Sequence, residues 1–258
     1  MRRNYWVQRN RLASIFLSIV IPVYNEERRL PQTLEQVLSF LDCQPYTAEV
    51  ILVENGSQDR TLEIANGAAA QHSMLRVMQL ATRGKGRAVQ MGMQAARGEF
   101  RFMCDADFSM PVTEINRFLP PALDDFDIAI ASREAPGAIR YGEPHYRHLV
   151  GRIFNTLIRL VALPGLHDTQ CGFKCFRAAL AEELFPLQTI AGWSFDVELL
   201  YIARLRGYRV IELPIPWHFN PESKISVLRD SSRMASDLFK IRVNGLTGVY
   251  QNAQAPQV

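Results

Sequence analysis

No stretch of this chain reaches the ~18 consecutive apolar residues that a membrane-crossing helix requires, so none is expected. The run from Ile15 to Val23 follows Arg2, Arg3, Arg9 and Arg11, but it is short, and Glu26-Glu27 follow without a small-residue cleavage pattern. It reads as a buried strand, not a signal peptide. Charge of one sign is equally scarce: 29 Lys and Arg face 26 Asp and Glu, a net charge of +3. Dense basic tracts are absent, which argues against a nucleic-acid partner and leaves a mild attraction for phosphorylated substrates or anionic lipid. Only four cysteines occur, with one C-x3-C pair, Cys171 and Cys175, and no histidines placed to complete a zinc site. They predict packing roles in a reduced, cytoplasmic setting. Internal repeats and low-complexity tracts are missing. So are G-x-x-x-x-G-K-[ST] and a G-x-G-x-x-G after the first strand, which weakens ATPase and dinucleotide readings.

What remains is a chain of 258 residues, 48% hydrophobic and 21% charged, enough for one large domain with an ordinary core. Apolar, β-rich runs at Phe16 to Val23, Val50 to Val53, Arg76 to Leu80, Phe100 to Cys104 and Ile128 to Ser132 predict strands covered on both faces. Between them, Leu30 to Leu41, Thr61 to Ala70, Gly86 to Ala96 and Val112 to Leu123 repeat apolar residues at three and four, as helices do. That rhythm predicts an α/β fold with a mostly parallel sheet flanked by helices. A mobile loop is expected from Ala135 through Gly142, then helices over Tyr146 to Ala162 and Ser194 to Arg206, a strand over Arg209 to Pro214, and a terminal helix over Val227 to Val243.

The polar clusters fall where strands end. The first strand runs into Pro22-Val23-Tyr24-Asn25-Glu26 and the second into Glu54-Asn55-Gly56-Ser57. Ligands of open α/β sheets bind at carboxyl strand ends, which suits Glu26 and Glu54 to a base or ribose, although Asp59 and Thr61 equally suit a helix start. Gly84-Lys85-Gly86 opens a helix, where amides and Lys85 suit a phosphate. Asp105-Ala106-Asp107 leaves an apolar strand with two hard carboxylates one residue apart. That pattern serves a Mg²⁺ or Mn²⁺ ion on a diphosphate, or an ordinary solvated turn.

Taken together these motifs, with Asp168-Thr169-Gln170-Cys171-Gly172-Phe173-Lys174, resemble glycosyltransferase family 2 over about Ser18 to Arg242. Within it the chain resembles the polyprenyl-phosphate glycosyltransferases. The stretches from Asp168 to Phe176, Trp193 to Leu199 and Ser223 to Ser226 look most like dolichyl-phosphate β-glucosyltransferases. The resemblance implies a nucleotide-binding GT-A domain and an inverting hexosyltransferase that takes glucose from UDP-glucose and passes it to a dolichyl or other polyprenyl phosphate. GDP-mannose as donor, a non-lipid acceptor, or noncatalytic nucleotide-sugar binding are the alternatives. A sugar-phosphate nucleotidyltransferase is disfavoured by its missing glycine-rich, basic start. Two departures stand out: Glu54-Asn55 replaces the family's usual Asp-Asp, and Ser109 occupies a position that supplies a metal ligand in some relatives.

The expected site follows from that. Pro22, Tyr24, Glu26, Glu54, Ser57, Lys85, Asp105 and Ala106 face the nucleotide, with Asp105 and Asp107 on the metal. Lys85 and Arg133 offset charge on the departing diphosphate. Asp168 and Asp196 orient the sugar or acceptor, or else cap a turn and a helix, and Ser223 and Lys224 hold the acceptor phosphate. The chain divides into a basic extension over 1–14, a catalytic domain over 15–220, an amphipathic helical region over 221–250 and a flexible tail over 251–258. The helical region either docks on the core or lies on a membrane. A peripheral position on the cytoplasmic face of a membrane is expected.

Overall fold

A computed structural model describes residues 14–107, 109–220 and 227–251; Phe108, Ser223, Lys224, the basic extension before residue 14 and the tail after 251 lie outside the described residues. The continuously apolar runs become strands β1 (Leu17–Val23), β2 (Ala48–Glu54), β3 (Leu75–Gln79), β4 (Phe100–Cys104) and β5 (Ile128–Ser132). Nearly every residue of β1, β2, β4 and β5 is buried, as strands covered on both faces must be. Helices α1 (Leu30–Asp42), α2 (Thr61–Gln71) and α3 (Lys85–Ala95) alternate with the first four strands. β1 pairs in parallel with both β2 and β4, the arrangement a right-handed βαβ chain produces.

Beyond β5 come a short β6 (Ile139–Tyr141), α4 (His145–Val161), β7 (Phe173–Arg177), α5 (Ala178–Leu184), α6 (Phe195–Leu205), β8 (Val210–Pro214), β9 (Pro216–His218) and α7 (Val227–Leu246). The main sheet has the order β3-β2-β1-β4-β7-β5-β8, while β6 and β9 form a small parallel pair. β7 is antiparallel to both β4 and β5. It begins at the edge where β1, β2, β4 and β5 end, so chain entering β7 meets chain leaving β4. Phe102, Phe118 and Phe173 meet edge to face with ring centroids 4.5 to 5.5 Å apart and anchor that insertion. One face of the sheet packs against α1 and α2 through Leu34, Val37, Leu41 and Ala65; the other packs against α3, α5 and α6.

Three local expectations need correction. The helix expected from Val112 to Leu123 is a 3₁₀ segment, Val112–Phe118; Pro120 and Pro121 lack amide protons and stop it. The loop expected from Ala135 through Gly142 contains β6. β7 and α5 went unassigned, because Phe173-Lys174-Cys175-Phe176-Arg177 is a short run broken by a lysine and follows neither a strand's alternation nor a continuous apolar pattern. The terminal helix α7 buries Leu238 and Ile241 against Ile158 and Val197, so part of its apolar side docks on the body.

Candidate active site

The turns after β1 and β2 are built into each other. Asn25 adopts a positive φ of 51°, which asparagine tolerates, and so reverses the chain after Tyr24. Its amide donates to Ser57 Oγ at 3.0 Å and its Oδ1 accepts from the Gln58 amide at 2.8 Å. The Glu26 amide donates to Thr61 Oγ1 at 2.7 Å, and the Ser57 amide donates to Glu54. The Glu26 carboxylate takes both forks of Arg29, at 2.7 and 3.0 Å, and the Arg83 guanidinium stacks 4.1 Å from the Tyr24 ring centre. Pro22, Tyr24, Glu26, Glu54 and Ser57 are therefore one connected rim at the ends of β1 and β2. Asn55 links it onward, accepting from the Gly84 amide at 2.8 Å.

Next to that rim lies an open cleft of about 270 Å³ at the ends of β4 and β5 and the start of β7. Lys85, Asp105, Asp107, Ser109, Arg133 and Asp196 all line it. Lys85 reaches Asp105 at 2.5 Å and rests 4.7 Å from the Trp193 ring centre. Burial opposes its charge, but Asp105 and other acids prevail and raise its pKa. Asp107 is raised too, which for a carboxylate disfavours the charge: burial, then the neighbouring Asp105, push it up, against the Ser109 amide 3.2 Å away and Lys85. Thr33 of α1 donates to the Ala106 carbonyl at 2.6 Å and fixes the turn between the two acids.

Glycine is required where these pieces meet. A Cβ on Gly172 would stand 2.1 Å from Asp105 Oδ2, and one on Gly86 would stand 2.7 Å from the Ile190 carbonyl oxygen. The Gly86 amide instead donates to the Ala191 carbonyl at 2.9 Å, docking the start of α3 on the loop that carries Trp193.

Asp168 sits behind the cleft rather than in it. It is fully buried, and it accepts from Arg133 Nε at 2.6 Å, Arg133 Nη2 at 3.0 Å and the Arg133 amide at 3.0 Å. Burial alone would raise its pKa; the Arg133 guanidinium outweighs that and holds it at about 2. Its contacts orient Arg133, which reaches the cleft beside Trp217, 5.5 Å from that ring centre. Asp196 does line the cleft, held at 2.8 Å by the buried Lys174, whose Nζ also donates to the Cys171 carbonyl at 2.5 Å. Burial pushes Asp196 up, with Lys174 and Lys85 opposing. Gly172, Lys174, Trp193 and Trp217 carried no assigned role in the sequence reading. Gly172, Lys174 and Trp193 stand in the stretches that carry the family resemblance, whereas Trp217 has no signal in the sequence.

A polar rim, a basic helix start and an acidic turn along one sheet edge are the parts of a nucleotide-sugar transferase with the GT-A fold. The chain belongs to glycosyl transferase family 2, whose domain matches residues 18–185, and it is a glycosyltransferase. It is 36% identical to the dolichyl-phosphate β-glucosyltransferase of Drosophila melanogaster, over 93% of this chain and 78% of that one. The human protein of that name is 34% identical, over 92% and 78% of the two chains, and the Saccharomyces cerevisiae one 30%, over 92% and 77%. Among solved structures, glucosyl-3-phosphoglycerate synthase of Mycobacterium tuberculosis superposes with a TM-score of 0.66 at 16% identity, covering 95% of this chain and 84% of that one. The same enzyme in complex with Mn²⁺, UDP-glucose and phosphoglyceric acid superposes with a TM-score of 0.64, also at 16% identity, over 91% and 81%. These likenesses establish the fold.

Proposed function

We propose that this chain transfers glucose, with inversion, from UDP-glucose to the phosphate of a dolichyl or other polyprenyl phosphate at a membrane surface. The observation that carries the reading is the single cleft in which an acidic pair and two cations, Lys85 and Arg133, face one another. Relatives named for glucose transfer to dolichyl phosphate, 30–36% identical over most of the chain, supply the sugar and the acceptor. Four unpaired cysteines favour the reducing, cytoplasmic face.

Asp105 and Asp107 fit a divalent ion of the Mg²⁺ or Mn²⁺ kind. Both are hard oxygen donors on the same cleft, one residue apart at the end of β4. Among the described residues no group of three or more His, Cys, Asp or Glu side chains is placed to hold a metal, so Asp105 and Asp107 would hold such an ion together with ligands from outside the protein. Such an ion, when bound, neutralises the diphosphate as it leaves. The protein's own residues do the rest. The β1 and β2 rim seats the nucleoside, Lys85 sits against the departing phosphates, and Arg133, fixed by Asp168, adds a second cation. An acceptor phosphate is already an anion and needs no strong base, which leaves Asp196 to receive a sugar hydroxyl. Ser223 and Lys224 remain candidates for the acceptor phosphate.

The test offers UDP- and GDP-sugars with Mg²⁺ or Mn²⁺ and polyprenyl phosphate, and counts label carried into the organic phase. Label from UDP-glucose is the expected result. Label from GDP-mannose alone overturns the donor, and an organic phase without label overturns the acceptor.

A further inference from the structure

One helix of this molecule carries far more exposed apolar surface than a soluble helix should. In α4, Tyr146, Leu149, Ile153 and Leu160 are 63%, 62%, 64% and 80% exposed, and Leu157 is 39% exposed. Their spacing of three and four residues puts all five on one stripe of the helix. Single exposed apolar residues are ordinary, but a stripe five residues long is not. The opposite side of the helix is used conventionally, with Ile158 buried against Leu238 and Ile241 of α7.

The charges beside the stripe select its occupant. The 17-residue helix contains arginines at 147, 152 and 159 and not one Asp or Glu. Arg152 and Arg159, seven residues apart, are exposed along the edge of the apolar stripe. An apolar strip bordered by cations matches the boundary between acyl chains and anionic headgroups. A second copy of this helix matches it poorly, because pairing would bring the like-charged flanks together. The same helix supplies a wall of the active-site cleft through Val150, Gly151 and Phe154, so whatever covers the stripe also borders the cleft.

From this juxtaposition we infer that α4 lies in the surface of an anionic bilayer, with the apolar stripe inserted and Arg152 and Arg159 at lipid phosphates. The inference rests on the reading of a lipid-phosphate acceptor, and it says how the cleft reaches one: the wall lined by Val150 and Phe154 stands at the headgroups. Among the described residues no helix is long and apolar enough to cross a membrane, and α4 does not need to be. Lying flat, it extends for about 25 Å along the surface.

The experiment floats the full chain with phosphatidylcholine vesicles, with and without phosphatidylserine, and compares it with the triple variant Leu149→Ser/Ile153→Ser/Leu160→Ser. None of the three side chains lines the cleft, and unfolding monitored by circular dichroism checks that the variant folds. The expected result is binding to the phosphatidylserine vesicles that drops at least about tenfold in the variant and weakens with salt. Equal binding by the variant, or no binding of the unaltered chain to either vesicle, overturns the assignment. So does a dimer that the variant converts to monomer with no vesicle binding, which would make the stripe a self-interface. Transfer from UDP-glucose to polyprenyl phosphate dispersed in detergent is measured on both proteins and should be the same within about twofold, because micelles bypass the docking step. Absence of that transfer in both is a failure of the acceptor reading, and flotation still decides the role of α4.

Discussion

Asp107 and Asp168, both near the same sheet edge, are pushed in opposite directions by their neighbours. Burial, then Asp105, raise Asp107, against Lys85 and the Ser109 amide. Replacing Asp107 with Asn is expected to lower kcat/KM by on the order of 100-fold or more and to blunt the response to added Mn²⁺. Turnover at the unaltered level would remove Asp107 from the metal site. Asp168 already has its cation. Held at about 2 by Arg133, against an ordinary value of 3.8, it contributes stability on the order of 2 kcal/mol. A lowered carboxylate pKa gives stability that is present above the ordinary value and lost as pH falls through about 2. Urea midpoints measured at steps from neutral to acid pH should therefore fall for the natural chain across that window and stay flatter for Asp168→Asn. Equal slopes would show that the pair is not the source.

Among the elements, α3 and β7 are joined to the site by glycines that serve different ends. Gly86 of α3 faces backbone, with the Ile190 and Gly192 carbonyl oxygens 2.7 and 2.9 Å from where a Cβ would stand. Gly86→Ala should cost about 1–3 kcal/mol of stability, read from thermal or denaturant unfolding. At the start of β7, Gly172 faces the Asp105 carboxylate, so Gly172→Ala should displace that acid. Transfer activity should fall at least about tenfold while stability changes by about 1 kcal/mol or less, a split that paired kinetic and unfolding measurements resolve. This helix and this strand also mark how far the sequence could be read. Apolar runs announced β1, β2, β4 and β5 because strands buried on both faces need apolar residues throughout, while the edge strand β3 is only partly buried; the acidic turn after β4 was visible because it ends such a run. β7 was not legible. Its Lys174 is a buried cation whose partner, Asp196, lies 22 positions away, and no local pattern reports a pairing made across the fold. Asp168 reads in the sequence as a group facing sugar or acceptor, or else capping a turn, because nothing there shows that Arg133 returns to take both its oxygens.

At the scale of the whole molecule, β7 is, among the described residues, the only ladder partner that β4 and β5 share in the sheet. The strands of the nucleotide side and those of the far side are joined through it. A fragment of residues 1–165 should consequently lack a cooperative unfolding transition, while the full chain shows one by circular dichroism or calorimetry. Cooperative melting of the fragment would mean that the nucleotide side is a folding unit by itself. The same strand imposes an order in time. During synthesis the acidic turn leaves the ribosome about 70 residues before the end of β7, and at ~5–20 residues per second that is an interval of roughly 4 to 14 seconds. For most of that interval Asp105 has no Gly172 beside it and Arg133, once made, no Asp168 behind it, so a newborn chain carries its acids and cations well before it carries a site.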